Sequence, residues 1–291
     1  MADSSESLTY AKLPRNTVNR YGKPRGRYDA EMINTIVNTS QVLHVSFPVP
    51  DDPFPAMLPM LGFVGSYADA SLTLSDPLDL YLHGYISSRL MRLGKSASVS
   101  QKEKGKGQEE EKKEEGEGAG EGEGEEHEPS LPLTIAATHL DGLVLALTPN
   151  HHSYNYRSAV IHGHAVAVAD PAEKLWAMEH ITNGVVPERW AHARVPPTRT
   201  EMTSTQILRV RIVDASAKVR AGPPGDDRRD MRDGELRART WIGVVPTWMC
   251  YGEPVASPEN RCGEVPEHIS SFVRRENEAG ERNALAAAKG D

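Results

Sequence analysis

Residues 139–176 read HLDGLVLALTPNHHSYNYRSAVIHGHAVAVADPAEKLW, and this stretch decides how the chain folds. The apolar run Leu143–Leu147 is typical of a β-strand that is covered on both faces. The segment Ser158–Ala169 alternates between two sets of residues, which predicts a strand with two distinct faces. Asp170 follows as a helix N-cap, with Pro171 at the first helical position. The stretch therefore predicts two strands and a capped helix.

A polar elbow joins the two predicted strands. Residues 150–157 read NHHSYNYR and hold two His, two Tyr, two Asn, one Ser and one Arg. A hydrophobic core does not require so many hydrogen-bond donors and acceptors in eight residues. We therefore expect this elbow to form the rim of a ligand site.

The flanking sequence adds hairpins and no alternating β–α–β units. QVLHVSFPVP at 41–50 and FPAMLPMLGFVG at 54–65 read as two strands joined by a tight turn. Further strands are predicted at Asp79–His83, Leu133–His139, Thr205–Val213, Ala215–Arg220 and Arg239–Pro246. A short helix is predicted over residues 29–40, with Asp29 as its cap. Because helices occur only where these strands join, the pattern predicts a mainly β protein, an antiparallel barrel with peripheral helices.

Much of the net charge comes from one low-complexity segment. The formal net charge is −8, and residues 101–128 hold twelve Glu and five Lys, so the remainder is close to neutral. The chain thus lacks the basic excess of a nucleic-acid-binding protein. Residues 95–129 contain no aromatic side chain and are rich in Gly and Glu. This composition predicts a disordered acidic insert within the fold.

The sequence predicts three regions: a polar, basic arm at 1–27, a barrel domain at 28–250 and a tail at 251–291, partly helical or disordered. Cys250 and Cys262 are expected to be reduced thiols in a chain of this length. The N-terminal residues lack a signal-peptide pattern, and no apolar run approaches the ~20 residues of a membrane span. We expect a cytoplasmic protein that makes no contact with membranes.

An anion site is predicted where the strand after residue 79 gives way to a helix near Ser87. Gly84 allows a sharp turn, the hydroxyls of Ser87 and Ser88 can donate hydrogen bonds, and Arg89 adds a forked guanidinium. These groups come together at a helix start, where free N–H groups favour an anion. The alternative is an ordinary capped surface helix with a solvated Arg89.

Several longer stretches resemble a known family. From Tyr28 to about Pro246 the chain is similar to the pyridoxamine-phosphate-oxidase-like FMN-binding split barrels, and within them to the flavin-nucleotide-binding or nitroimidazole-resistance-like branch. The similarity rests on YDAEMINTIVNTSQVLHVSF, YLHGYISSRLMR, the stretch from His139 to Met178, VPERW, ASAKVRAGPPGDD and WIGVVP. It implies a six-stranded split barrel and a homodimer with FMN at the interface.

The resemblance also implies roles for individual residues. Ser87, Ser88 and Arg89 match the position of the flavin phosphate site, and the strand at 55–60 would lie along the isoalloxazine ring. His83 matches a His beside the flavin and is the candidate catalytic residue. The remaining implied cofactor contacts are Met57, Leu58, Pro59 and Met60 on that strand, and Asn155, Tyr156, Arg157, Lys218 and Trp241 from neighbouring strands or the second subunit.

Other histidines leave further chemistry open. His162 and His164 lie two residues apart on one strand face, which could hold a metal, but no third ligand has a confirming spacing. We therefore predict no metal site. His151 and His152, together with the first pair, remain candidates for an axial haem ligand.

The function implied by the resemblance is that of an FMN-dependent oxidoreductase. It would pass electrons from a reduced nicotinamide to a small nitro- or carbonyl-type substrate, and the flavin would carry the redox chemistry. One alternative is a flavin- or haem-binding storage or sensor protein, which an absorption spectrum would distinguish. The other is a cofactor-free interaction protein acting through the acidic insert, which would stay colourless with added FMN.

Overall fold

The computed structural model describes residues 7–18, 24–97 and 130–290, and the predicted acidic insert lies largely outside these ranges. The nine strands in the described ranges are β1 Gly26–Arg27, β2 Leu43–Phe47, β3 Ala56–Met60, β4 Gly62–Gly65, β5 Asp79–Tyr85, β6 Leu131–Leu145, β7 Ser153–Ala167, β8 Thr205–Arg220 and β9 Gly243–Pro246. The α-helices are α1 Ala30–Asn38, α2 over 89–97, α3 Pro171–Val185, α4 Arg199–Ser204, α5 Gly234–Arg239 and α6 Glu267–Lys289.

The strands form one antiparallel sheet in the order β3-β2-β6-β7-β8-β5-β4. Only Leu61 separates β3 from β4, so one continuous segment pairs with β2 at its start and with β5 at its end. If β3 and β4 count as one bent strand, six strands run around a barrel. Strands β1 and β9 are short additions to β8 and β6. The predicted antiparallel split barrel with peripheral helices is confirmed.

The three longest strands correct several predicted boundaries. Leu131–Leu145 is one strand of fifteen residues, although two were predicted, and a register shift between Leu140 and Gly142 marks a β-bulge. Thr205–Arg220 is likewise a single strand. The predicted elbow at 150–157 is shorter than expected, because β7 begins at Ser153. The polar residues of the elbow pair with β6 and β8, and this long-range pairing outweighed the local turn signal.

The barrel core lies on the inner faces of these strands. On β7 the side chains of Ala159, Ile161 and Ala165 are buried, and His162 and His164 lie on the opposite face. Helix α1 adds Ile33, Ile36 and Val37 to the same core. Asp29 caps this helix as predicted, accepting a hydrogen bond from the Met32 N–H at 3.0 Å. Asp170 caps α3 through Ala172 in the same way.

The C-terminal part differs from its prediction in two places. The predicted strand Arg239–Pro246 is instead the end of α5 followed by β9. The tail contains the 23-residue helix α6, which contacts β6 and β9. Asn155 fastens this helix, because its Nδ2 donates to the Ala287 carbonyl at 3.0 Å. Across the described ranges, no helix combines the length and the apolarity that crossing a membrane requires.

Gly62→Ala should destabilise the protein by about 2 kcal/mol, because an added methyl overpacks a tight site. A Cβ at Gly62 would lie 2.6 Å from the Tyr81 carbonyl oxygen, and backbone cannot yield as a side chain can. Urea unfolding followed by circular dichroism measures the change. Gly184→Ala is the matched control, since a Cβ there meets nothing within 4 Å and alanine favours a helix. Equal stability of the two variants would contradict the close packing at Gly62.

Candidate functional site

The barrel is split where strand β3 leaves the sheet. Strand β3 pairs with β2 along one edge, and no strand within the described ranges pairs with its other edge. Pro59, which has no N–H, suits such an edge strand. Met57 is 63% exposed and Leu58 37% exposed. The stretch predicted to lie along a flavin ring thus presents unpaired backbone groups and apolar side chains.

The turn after β5 carries the predicted anion site. The Ser88 N–H donates to the Tyr85 carbonyl at 2.9 Å, and the Arg92 N–H donates to the Ser88 carbonyl at 3.0 Å. Ser88 is therefore the N-cap of α2, and the helix begins at Arg89, slightly later than predicted. The N–H groups of the first turn of a helix have no partner within the helix and can bind an anion. Ser87 and Arg89 are exposed beside them.

The structure brings these two elements together. A Cβ placed on Gly84 would lie 3.7 Å from the Met60 Cε and 2.7 Å from the Met91 Cε. The end of β3 therefore meets the end of β5 and the first turn of α2. The Met60–Gly84 contact therefore makes β3 and the turn at Ser87–Arg89 neighbouring elements.

His83 lies on β5, one residue before Gly84. Burial lowers the pKa of its imidazole below the usual value, and a hydrogen bond to the Leu61 backbone partly opposes this effect. Its Nδ1 is buried and has no hydrogen-bond partner among the described residues. Because the other ring nitrogen donates its proton to Leu61, the Nδ1 atom of the neutral imidazole can accept a hydrogen bond.

The other predicted cofactor residues form a second group. Tyr156 lies beside Lys218, whose Nζ is 5.2 Å from the centre of the ring, and its hydroxyl accepts from Arg25 at 3.3 Å. Trp241 is 65% exposed and lies just before β9. Strand β9 and the start of β7 both pair with the last residues of β6. Asn155, Tyr156, Arg157, Lys218 and Trp241 therefore share one end of the sheet.

The second group lies at the opposite end of β8 from the turn at Ser87–Arg89. Tyr85 pairs with Thr205 at the start of β8, whereas Tyr156 pairs with Arg220 at its end. Strand β3 lies closer in register to the second group, because Pro59 pairs with His44 and is linked through Ala136 and Val160 to Ser216. A role for the second group at the flavin stays a prediction.

Two members of the second group also have structural partners. The Arg157 guanidinium donates two hydrogen bonds to the Asp141 carboxylate, at 3.0 and 2.8 Å, and Asp141 is buried at the β6 bulge. Asn155 is fully buried, and its Oδ1 accepts from Arg220. These contacts account for part of the polar character that the sequence suggested for a ligand rim.

Two cavities lie apart from the residues implied to contact the flavin. A cavity of about 760 Å³ lies on the outer face of the sheet and includes Arg15, His162, His164 and Arg211. A second one, of about 850 Å³, includes Trp176 and His180 of α3. The sequence contained one signal for the second cavity. Trp176 and His180 are four residues apart, and residues with this spacing share one face of a helix.

Comparisons with known proteins agree with this fold. Residues 118–219 match the family model described as pyridoxamine 5'-phosphate oxidase. A search of curated protein sequences found no match. The flavocytochrome Anf3 from Azotobacter vinelandii shares 25% identity, with a TM-score of 0.63, over 89% of this chain and 97% of its own.

Two further solved structures resemble the chain. The FAD and haem binding protein from Mycobacterium smegmatis shares 22% identity with a TM-score of 0.63, over 86% of this chain and 98% of its own. A 5-nitroimidazole antibiotic resistance protein from Bacteroides thetaiotaomicron shares 13% identity with a TM-score of 0.41, over 69% and 96%. The family match and the strand arrangement together show that this chain has the split-barrel fold of the pyridoxamine 5'-phosphate oxidase-like flavin-binding proteins.

Proposed function

We propose that the protein is an FMN-dependent oxidoreductase whose flavin binds at the split between β3 and the start of α2. The observation that carries this proposal is the proximity of Met60, at the end of β3, to Gly84, which precedes the turn at Ser87–Arg89. Arg89, the serine hydroxyls and the N–H groups of α2 would hold the phosphate, because charge-assisted hydrogen bonds favour a dianion there. The free backbone edge of β3 would contact the polar edge of the ring.

The reaction proposed is electron transfer from a reduced nicotinamide to a small nitro- or carbonyl-type acceptor. The flavin supplies the redox chemistry when bound, and the protein positions and tunes it. His83 is the residue suited to hold or pass a proton beside the ring, since its imidazole is neutral and its buried Nδ1 lacks a partner. The exposed side chains of Met57 and Leu58 would exclude water from the ring once a ligand covers them.

We also propose a homodimer. A second copy could bring Tyr156, Arg157, Lys218 and Trp241 to the flavin of its partner. The aromatic and basic character of this group suits contact with a planar, anionic cofactor.

Haem binding is a second candidate function. The flavocytochrome at 25% identity covers 89% of this chain, and its name implies both a flavin and a haem.

The absorption spectrum of the purified protein, with and without added FMN or FAD, tests the proposal. We expect flavin bands, FMN in the supernatant after acid release, and bleaching of the bands on anaerobic addition of NADH or NADPH. Release of FAD in place of FMN would change the identity of the proposed cofactor and would not contradict the proposed binding site. A colourless protein that stays free of flavin after incubation with FMN or FAD would overturn the proposal that it is a flavin-dependent oxidoreductase.

A further inference from the structure

A cavity of about 850 Å³ opens between β4, α3, α6 and the segment around Tyr251. This volume falls within the range of about 300–1,000 Å³ typical of small-molecule pockets, which are mostly apolar. Leu72, Leu74, Leu78 and Ile181 contribute an aliphatic part of its wall. None of the described residues that line it is among those assigned above to the flavin.

Two groups of aromatic side chains also line this cavity. In the first, the Trp176 ring lies 5.4 Å from Phe63 and 4.3 Å from His180, measured between ring centres. In the second, Tyr251 and Phe272 pack edge to face with ring centres 5.0 Å apart. Such packing holds the rings in fixed positions. The face of an aromatic ring carries negative partial charge and attracts cations, and Trp attracts them best.

The formal charges at the cavity are negative as well. Asp69 and Glu276 line it, and no Lys or Arg does so within the described part of the chain. Hydrogen bonds from the Ser71 hydroxyl and N–H, at 2.6 and 2.9 Å, hold the pKa of the Asp69 carboxyl below its usual value. The carboxylate is therefore ionised at neutral pH. A cleft whose charges have one sign concentrates ligands of the opposite sign, so this cavity favours cations over anions.

Glu276 lies on α6 beside the second aromatic group. It follows Phe272 by four residues, so the two side chains share one face of the helix. Asn277 holds Tyr251 against this helix, accepting from its N–H at 2.7 Å and donating to its carbonyl at 2.9 Å. The Glu276 Oε1 also lies 3.4 Å from the Arg275 Nε, on side chains that are 38% and 58% exposed. An ion pair this exposed contributes little and can yield to a ligand.

His180 adds a hydrogen-bond acceptor to the same cavity. Its Nδ1 donates to the Trp176 carbonyl at 2.9 Å, so the lone pair of the neutral ring lies on Nε2. The side chain is exposed and lines the cavity, with its ring stacked on Phe63 at an interplanar angle of 17°. An Nε2 atom in this state can accept from the N–H of an ammonium group, which a carboxylate ligand could not supply.

We propose that this cavity binds an organic cation, an ammonium or quaternary ammonium group attached to an apolar body. The positive nitrogen would be held by the aromatic rings and the two carboxylates, and the apolar body would cover the aliphatic wall. Removal from water strengthens the attraction between a cation and a ring face. The proposal goes beyond the oxidoreductase and does not depend on it, because the cavity shares no lining residue with the flavin contacts.

Isothermal titration calorimetry of the full-length protein, with three probes of similar size, tests the charge selectivity. The probes are benzyltrimethylammonium as the cation, 4-tert-butylbenzyl alcohol as the neutral compound and 4-tert-butylbenzoate as the anion. We expect the cation to bind at one site per chain and at least about 10-fold more tightly than the other two, because the rings and carboxylates attract positive charge. Equal affinity for the three probes, or no binding of the cation, would overturn the proposal.

Variants that remove charge and keep side-chain size locate the site. Asp69→Asn combined with Glu276→Gln should weaken binding of the cation about 10-fold and leave the neutral probe unchanged, because both carboxylates are lost. Glu278→Gln is the matched control, since Glu278 is exposed on the same helix and does not line the cavity. A double variant that binds the cation as tightly as the wild type would overturn the site.

Phe272→Leu tests the aromatic wall. Leucine keeps an apolar surface and lacks a ring face, so the affinity for the cation should fall about 3- to 10-fold, and the affinity for the neutral probe should fall less. Equal losses for the two probes would contradict recognition of the cation by the rings. Thermal unfolding of each variant shows whether the fold is intact, which we expect for the charge variants because Asp69 is exposed and Glu276 partly exposed.

Discussion

Arg89→Ala is expected to weaken flavin binding by about 10- to 100-fold. A hydrogen bond to a charged group contributes about 1.5–3 kcal/mol, and each 1.4 kcal/mol changes Kd tenfold. Arg89 is exposed at the start of α2, so the fold should be unchanged. Fluorescence titration of the flavin-free protein with FMN measures the effect, and riboflavin, which lacks the phosphate, should bind both proteins equally.

Arg92→Ala is the matched control for this experiment. Arg92 lies on the same helix three residues further on and is also exposed. The free N–H groups that favour an anion belong to the first turn of a helix, and Arg92 lies beyond that turn. Its replacement should leave FMN affinity within about twofold of the wild type, since surface changes away from such features have small effects. If both variants bind FMN like the wild type, the phosphate does not bind at Ser87–Arg89.

Arg157→Ala is expected to lower the free energy of unfolding by about 3 kcal/mol, because removing one partner leaves an uncompensated buried charge. The charge left behind is the Asp141 carboxylate, which is 5% exposed at the β6 bulge. Urea unfolding measures the loss. The result bears on the implied cofactor role of Arg157, since its guanidinium is committed to Asp141 in this protomer.

A double variant separates the charge from the packing. Asp141→Asn combined with Arg157→Met removes both charges and keeps most of the side-chain volume, so it should recover most of the lost stability. Arg25→Ala is a control from the same end of the sheet, because the contact of its side chain with the described residues is a 3.3 Å hydrogen bond to Tyr156. A stable Arg157→Ala protein with weaker FMN binding would instead assign Arg157 to the cofactor.

The fold could be predicted where local pattern and final structure agree. Asp29 and Asp170 cap helices as expected, because a cap bonds to the N–H of a residue two or three positions away. The alternation along β7 separated Ile161 from His162 correctly, since side chains of a strand alternate between its faces. The β6 bulge at Asp141 was not predictable, because it depends on the register of pairing with β7.

The candidate site was only partly accessible to the same reasoning. The helix start at Ser87–Arg89 can be recognised from the local sequence. Its proximity to Met60 cannot, because β3 and α2 meet only when the barrel closes. The polar elbow was interpreted as a ligand rim, whereas Asn155 contacts a helix 132 residues away in sequence. His180 was not identified, since the cavity that it lines is formed by four separate segments.

The sequence by itself determined the mainly β class, the helix caps, the apolar face of each strand and the turn at which α2 begins. Each of these depends on residues within a few positions of one another, where spacing alone sets the geometry. Only the tertiary structure decided that β3 keeps a free edge beside α2, that Arg157 pairs with Asp141 and that His180 lines an aromatic cavity. These contacts depend on strand register and on helix packing across the whole chain, and neither is encoded in a local pattern.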